Sequence, residues 1–198
     1  MSLVVPRAET RDAILDACDR LMGRYGFRKM TMDDLAKEAV VSKRTIYGYF
    51  SSKQEVGLSS IGRVVEGARR EMARIAAEGA PPDDRIRRML ERRVMARVEA
   101  VQDYHHSLDD LFEVVRPAYM ARRRETFVIE HALLDGVLEE AGIADASDLS
   151  EALLLATNAF LPYSLSVRDL GRPDEILPRL RTMIDLLVRG IFPPETSR

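Results

Sequence analysis

Residues 40–56, VVSKRTIYGYFSSKQEV, set Ser42, Lys43, Arg44 and Thr45 side by side, put Tyr47 and Tyr49 around a glycine, and add Lys53 after two serines. These side chains are hydrogen-bond donors suited to recognition. Guanidinium and ammonium groups donate to guanine O6 and N7, threonine offers a hydroxyl or a methyl, and tyrosine hydroxyls meet phosphate oxygens. Only Ile46, Phe50 and Val56 suit anchorage to a core. The stretch therefore reads as a surface for a polyanion. No nucleophile–base spacing, metal motif or glycine-rich phosphate loop occurs elsewhere, so an enzyme is not expected. His105 and His106 are adjacent, hence about 100° apart on a helix, and have no partner at ligand spacing; no metal or other cofactor is expected. The single cysteine, Cys18, rules out an internal disulfide and reads as a small core residue on an apolar stripe.

The elements that must position these donors are short. Thr31 with Asp34 is a capping-box-like start, and Leu35, Ala36 and Ala39 supply the inner face of a brief helix. Ser42 is the next N-cap, opening a helix that reaches only about Tyr47 before Gly48. Two short helices joined by a tight turn, the second starting with small and cationic residues, form a helix-turn-helix reader of double-stranded DNA. Lys43, Arg44 and Thr45 then face bases, and Tyr47, Tyr49 and Lys53 face phosphates. The N–H groups starting helices at Thr31 and Ser52 supply further phosphate donors. Ahead of them, Ile14, Cys18, Leu21 and Tyr25 mark an amphipathic helix from about Pro6 to Tyr25.

The segment AILDACDRLMGRYGFRKMTMDDLAKEAVVSKRTIYGYFSSKQEV, residues 13–56, resembles the TetR family of bacterial transcription regulators. The match lies in the helix, the YGF turn, the T-x-x-D-L-A helix, the V-S-K-x-T-I-Y-x-Y-F recognition element and the S-K-x-E start. The rest matches only in length and helix pattern. The resemblance implies a homodimer joined by a four-helix contact and a repressor released from a palindromic operator by a small molecule. It also implies that this molecule shifts the fourth helix. Position 40, commonly glycine in that family, is Val40 here. If the turn needs a positive φ, a β-branched residue there is strained by about 1–3 kcal/mol.

Helical spacing continues to the C-terminus, giving an all-α expectation of about nine helices: a three-helix DNA-binding domain, residues 1–52, and a larger ligand-binding and dimerisation domain, residues 53–198. Ser52 and Glu55 form a capping box for a long fourth helix to about Glu78, and GAPPDD ends it. Ile86, Leu90, Val94 and Val101 mark a fifth helix. A short sixth spans Ser107–Val115, and Pro117 starts a seventh that stops at Gly142. Ser147 or Ser150 caps an eighth, EALLLATNAFLPYSLSVRDL, kinked by Pro162. Leu180, Met183, Ile184, Leu187, Val188 and Ile191 line the last.

Tyr104, His105, Arg116, Tyr119, Asn158 and Tyr163 interrupt apolar helices and are candidate contacts for a lipophilic ligand. The broad apolar surfaces of the last two helices suggest a twofold interface including Leu153, Phe160, Leu180, Met183, Ile184 and Leu187. The net charge of −2 divides into +3 over residues 1–53 and −5 over the rest, which puts an anionic partner at the N-terminal end. No stretch can span a bilayer, and a cytoplasmic protein without membrane contact is expected. A DNA-binding protein controlled by a protein partner, or organising the chromosome, is the alternative.

Overall fold

Local chemistry sets the start of each short helix. Thr31 Oγ1 accepts the Asp34 N–H at 3.1 Å while the Asp34 carboxylate accepts the Thr31 N–H at 3.0 Å, a complete capping box for α2, Met32–Glu38. Ser42 Oγ accepts the Thr45 N–H at 2.9 Å and opens α3, Lys43–Tyr47. Each cap contributes about 1 kcal/mol, which matters for elements too short to be stable alone. The computed structural model describes residues 7–165 and 170–193, and every regular element among them is helical. The others are α1 Arg7–Tyr25, α4 Lys53–Ala76, α5 Pro82–Ala100, α6 Leu108–Glu140, α7 Ala146–Thr157 and α8 Pro173–Ile191. Short 3-10 turns lie at Gln102–Ser107, Asn158–Phe160 and Pro162–Ser164.

Packing divides the chain into two units, one of residues 1–63 and 101–120, the other of residues 64–100 and 121–198. In the first, α1 buries Ile14, Leu15, Cys18, Leu21 and Met22, and Leu35, Ile46, Phe50 and Val56 join this core. Gly57 lets α4 come close: a Cβ there would lie 2.8 Å from Phe27 and 3.0 Å from Leu111. Gly26 ends α1 at φ +82°, a conformation that glycine adopts without steric cost. In the second unit α5 packs against α8 and α7. Ion pairs Arg181–Glu91 at 2.7 Å and Arg87–Asp185 at 3.0 Å flank the α5–α8 seam.

Several boundaries differ from the sequence expectation. The sixth and seventh helices are one: α6 runs through Pro117. The buried residues Leu108, Leu111, Phe112, Val115 and Tyr119 keep a continuous stripe across the proline, so packing on both sides offsets the roughly 3 kcal/mol that an interior proline costs. Eight α-helices are therefore described where about nine were expected. The eighth expected helix instead stops at Thr157. Pro162 disfavours helical geometry for the residue before it, and Leu161 is extended at φ −80°, ψ 140°. Asp145 precedes that helix, Ser147 sits in its first turn and Ser150 is buried inside it, so neither serine is the cap. At the start of α4, Ser52 Oγ does accept the Glu55 N–H, but Glu55 turns its carboxylate to the Ser51 N–H and hydroxyl, both at 2.7 Å. Pro6 and positions 166–169 of the expected eighth helix lie outside the described residues.

Candidate functional site

The turn between α2 and α3 is a helix-ending motif: the Val41 N–H donates to Ala36 O at 2.9 Å and the Val40 N–H to Lys37 O at 3.2 Å. This pattern requires a left-handed residue, and Val40 has φ +56° with its side chain 89% exposed. The turn therefore carries strain of about 1–3 kcal/mol in exchange for the exit direction of α3. From there Ile46 alone is buried within α3. Lys43, Arg44 and Tyr47 stand in solvent, Tyr47 at 51% exposure. Thr45 is half-buried and its hydroxyl shares a 2.7 Å hydrogen bond with Ser42, which leaves the Thr45 methyl and the exposed Ser42 as smaller contact groups.

The cations are not equivalent. Lys43 Nζ donates to Asp33 Oδ2 at 3.0 Å, and this hydrogen bond holds its ammonium above the ordinary value. Arg44 has no ion-pair partner among the described residues. Lys53 Nζ donates to Phe27 O at 3.0 Å and Arg28 O at 3.1 Å and lies 4.9 Å from the Phe27 ring centroid. Burial pushes its pKa down. The two bonds tie the loop after α1 to the start of α4, and meeting a phosphate requires releasing those carbonyls. The Thr31 N–H is likewise engaged, by Asp34. Tyr49 is half-buried with the Arg7 guanidinium 5.7 Å from its ring centroid, and Arg11 stands 5.5 Å from Phe50. Arg7 and Arg11 are exposed donors beside α3 that the sequence reading missed, because they belong to α1, more than 30 residues earlier.

A model of the bacterial regulatory proteins of the tetR family matches residues 14–57, the segment that carries this geometry. This segment is similar to that family. The regulator BetI of Agrobacterium fabrum is 33% identical over 76 residues, 38% of this chain and 37% of that protein. The transcriptional repressor KstR of Mycolicibacterium smegmatis is 33% identical over 82 residues, 41% of this chain and 40% of that protein. The chain thus spans about two-fifths of the length of these curated relatives. A TetR transcription regulator from Haloarcula marismortui superposes with a TM-score of 0.71 over 93% of this chain and 98% of that one, at 16% identity, a likeness of fold. Among the described residues no helix is long and apolar enough to cross a membrane.

The six candidate ligand contacts are divided between the two units. Tyr104, His105, Arg116 and Tyr119 belong to the first unit. Tyr104 is buried and burial raises its hydroxyl pKa, with Asp19 and Cys18 adding to the shift. His105 is exposed with Nδ1 2.9 Å from Gln102 O, Arg116 is exposed, and Tyr119 lies edge-on to Phe112 at 5.5 Å. An open cavity of about 430 Å³ in this unit is lined by Ser51, Ser52, Gln54, Glu55, Leu58, Val114, Val115 and Ala118, and by none of the six. Asn158 and Tyr163 lie in the second unit, where Asn158 Oδ1 accepts from Arg93 Nη2 at 2.8 Å and Arg123 stacks over the Tyr163 ring at 4.8 Å.

Arg93 opens onto a cluster that the sequence reading overlooked. Its Nε donates to Glu130 Oε2 at 2.7 Å and its Nη1 to Thr157 Oγ1 at 2.9 Å; Arg97 Nη2 bonds the other oxygen of Glu130. Arg93, Arg97 and Glu130 are 2%, 6% and 1% exposed. Burial alone would raise the Glu130 carboxyl, but Arg97 and Arg93 outweigh it and hold it below its ordinary value. The signal was present: Ile86, Leu90, Arg93 and Arg97 share one helical stripe, as do Phe127, Glu130, Leu134 and Val137. Of the expected interface residues, Leu153, Leu180 and Ile184 are buried within the protomer, while Phe160, Met183 and Leu187 are half-buried. Leu155 and Leu186, 55% and 69% exposed, are the outward apolar positions of α7 and α8.

Proposed function

We propose that this chain is a homodimeric transcriptional repressor, without catalytic activity, that binds a palindromic operator through residues 1–52 and answers to a small lipophilic molecule through residues 53–198. The observation that carries the reading is the outward presentation of Lys43, Arg44 and Tyr47 on a capped helix held down by Ile46. Solvent-facing donors on a short capped helix are what a major-groove reader needs. Leu155 and Leu186, with half-buried Phe160, Met183 and Leu187, support pairing through α7 and α8. Two recognition helices in such a dimer must stand about 34–36 Å apart to enter successive grooves.

Release follows when the ligand prefers a conformation with the wrong spacing, reached through displacement of α4; near-complete switching needs about a 10⁴-fold preference. Repression is supported by the name of the KstR relative over the segment matched. The test is a gel shift against fragments of the protein's own promoter. Wild-type protein shifts a specific fragment, Arg44→Ala weakens that shift and Tyr47→Phe weakens it less. Absence of any sequence preference in the wild type refutes the DNA-reading assignment. Calorimetry tests the coupling separately: ligand affinity unchanged by bound operator defeats ligand-driven release, because coupling between sites is reciprocal.

A further inference from the structure

The cluster joining α5, α6 and the end of α7 has more cations than anions. Arg93 and Arg97 are both buried, and Glu130 is the one carboxylate that meets them among the described residues. Each guanidinium nitrogen of Arg93 has a partner: Nε has Glu130, Nη1 has Thr157 and Nη2 has Asn158. In Arg97, Nη1 donates to Arg93 O and Nη2 to Glu130, but the buried Nε has no partner. Nearby, Arg123 meets the Tyr163 ring and no carboxylate among the described residues. The C-terminal end of α7, at Thr157 and Asn158, offers about half a negative charge, which offsets only part of the surplus. Arginine stays protonated, so the surplus cannot be removed by losing a proton.

We infer that this cluster is the recognition point for the carboxylate of a small organic acid, received at the unpartnered edge of Arg97. A carboxylate matches the surplus of one charge in the buried set Arg93, Arg97 and Glu130, and a guanidinium binds it with charge-assisted hydrogen bonds. The inference rests on the small-molecule reading above and narrows its ligand to monoanionic acids. Asn158 and Tyr163, chosen from the sequence as polar interruptions, stand at the same cluster, Asn158 on Arg93 and Tyr163 under Arg123.

The test is titration calorimetry of the full chain with n-alkanoates of eight to twelve carbons and with the matched n-alkanols. The expected result is binding of the acid at least tenfold tighter than that of its alcohol, with Arg97→Gln collapsing the ratio towards one and leaving the alcohol's affinity unchanged. Should Arg97→Gln fail to fold, Arg97→Lys, which keeps the charge but removes the Nε donor, should lower the ratio several-fold. Equal affinities for acid and alcohol in the wild type, or a ratio untouched by the variant, overturn the inference and leave the small-molecule reading standing. Binding of neither series overturns the inference as well.

Discussion

In α3 the cations stand in solvent on a five-residue helix pinned by Ile46, whereas in α5 two arginines lie inside the protein against a carboxylate from α6. Arg44 keeps its hydration until a partner arrives, so it costs the fold little and remains available. Arg93 and Arg97 have lost theirs, and the protein must replace water with Glu130, Thr157, Asn158 and a backbone carbonyl. The lesson is one of separability. Exposed charge can be altered at the expense of recognition alone, while buried charge is bound up with stability, because an unpaired ion inside a protein carries its full desolvation penalty.

The largest expected effect tests the buried side. Glu130→Ala leaves two guanidiniums without their carboxylate and should lower unfolding free energy by about 3–5 kcal/mol, measured by urea denaturation. A variant as stable as the wild type breaks the contrast. The same carboxyl predicts a pH dependence. Its folded value lies below the unfolded one, so its stabilisation is present above the ordinary glutamate range, about pH 4.3, and is lost as pH falls through the folded value. The stability gap between wild type and Glu130→Gln should therefore narrow on acidification; a gap that widens contradicts the assignment.

On the exposed side, Arg44→Ala should weaken operator binding by about 1–3 kcal/mol in fluorescence anisotropy, while its urea midpoint stays at the wild-type value. Loss of both together would mean that α3 is part of the core. Val40→Gly sharpens the comparison from the turn that aims α3. Relief of the positive φ exceeds the entropy cost of glycine, so the domain should gain about 1 kcal/mol by thermal unfolding, with no packing lost at so exposed a site. Asp33→Asn gives the smallest effect: it frees the Lys43 ammonium from its competing carboxylate to meet base edges, and operator affinity at fixed salt should rise by less than Arg44→Ala lowers it. An unchanged affinity means that Lys43 does not reach the duplex.

Much of the helix-turn-helix was legible from residue order. The caps at Thr31 and Ser42 and the stop near Tyr47 depend on partners three or four residues away, and the strain at Val40 follows from a turn readable in the same way. Lys53 was harder to read, because the carbonyls that hold it lie 25 and 26 residues earlier. The sixth helix failed for a related reason: a proline is a local stop signal, and only packing along the stripe from Leu108 to Tyr119 carries α6 through it.

Residue order by itself determined the all-α class, the helix-turn-helix and the outward placing of Lys43, Arg44 and Tyr47, since those rest on periodicity and contacts within one helical turn. Tertiary structure alone decided that Leu153, Leu180 and Ile184 face inward and that Lys53 is a tether. It also decided that Arg93, Arg97 and Glu130 meet across 33 and 37 residues. Whether a charge is hydrated or buried depends on which distant elements cover it, and no local pattern encodes that cover.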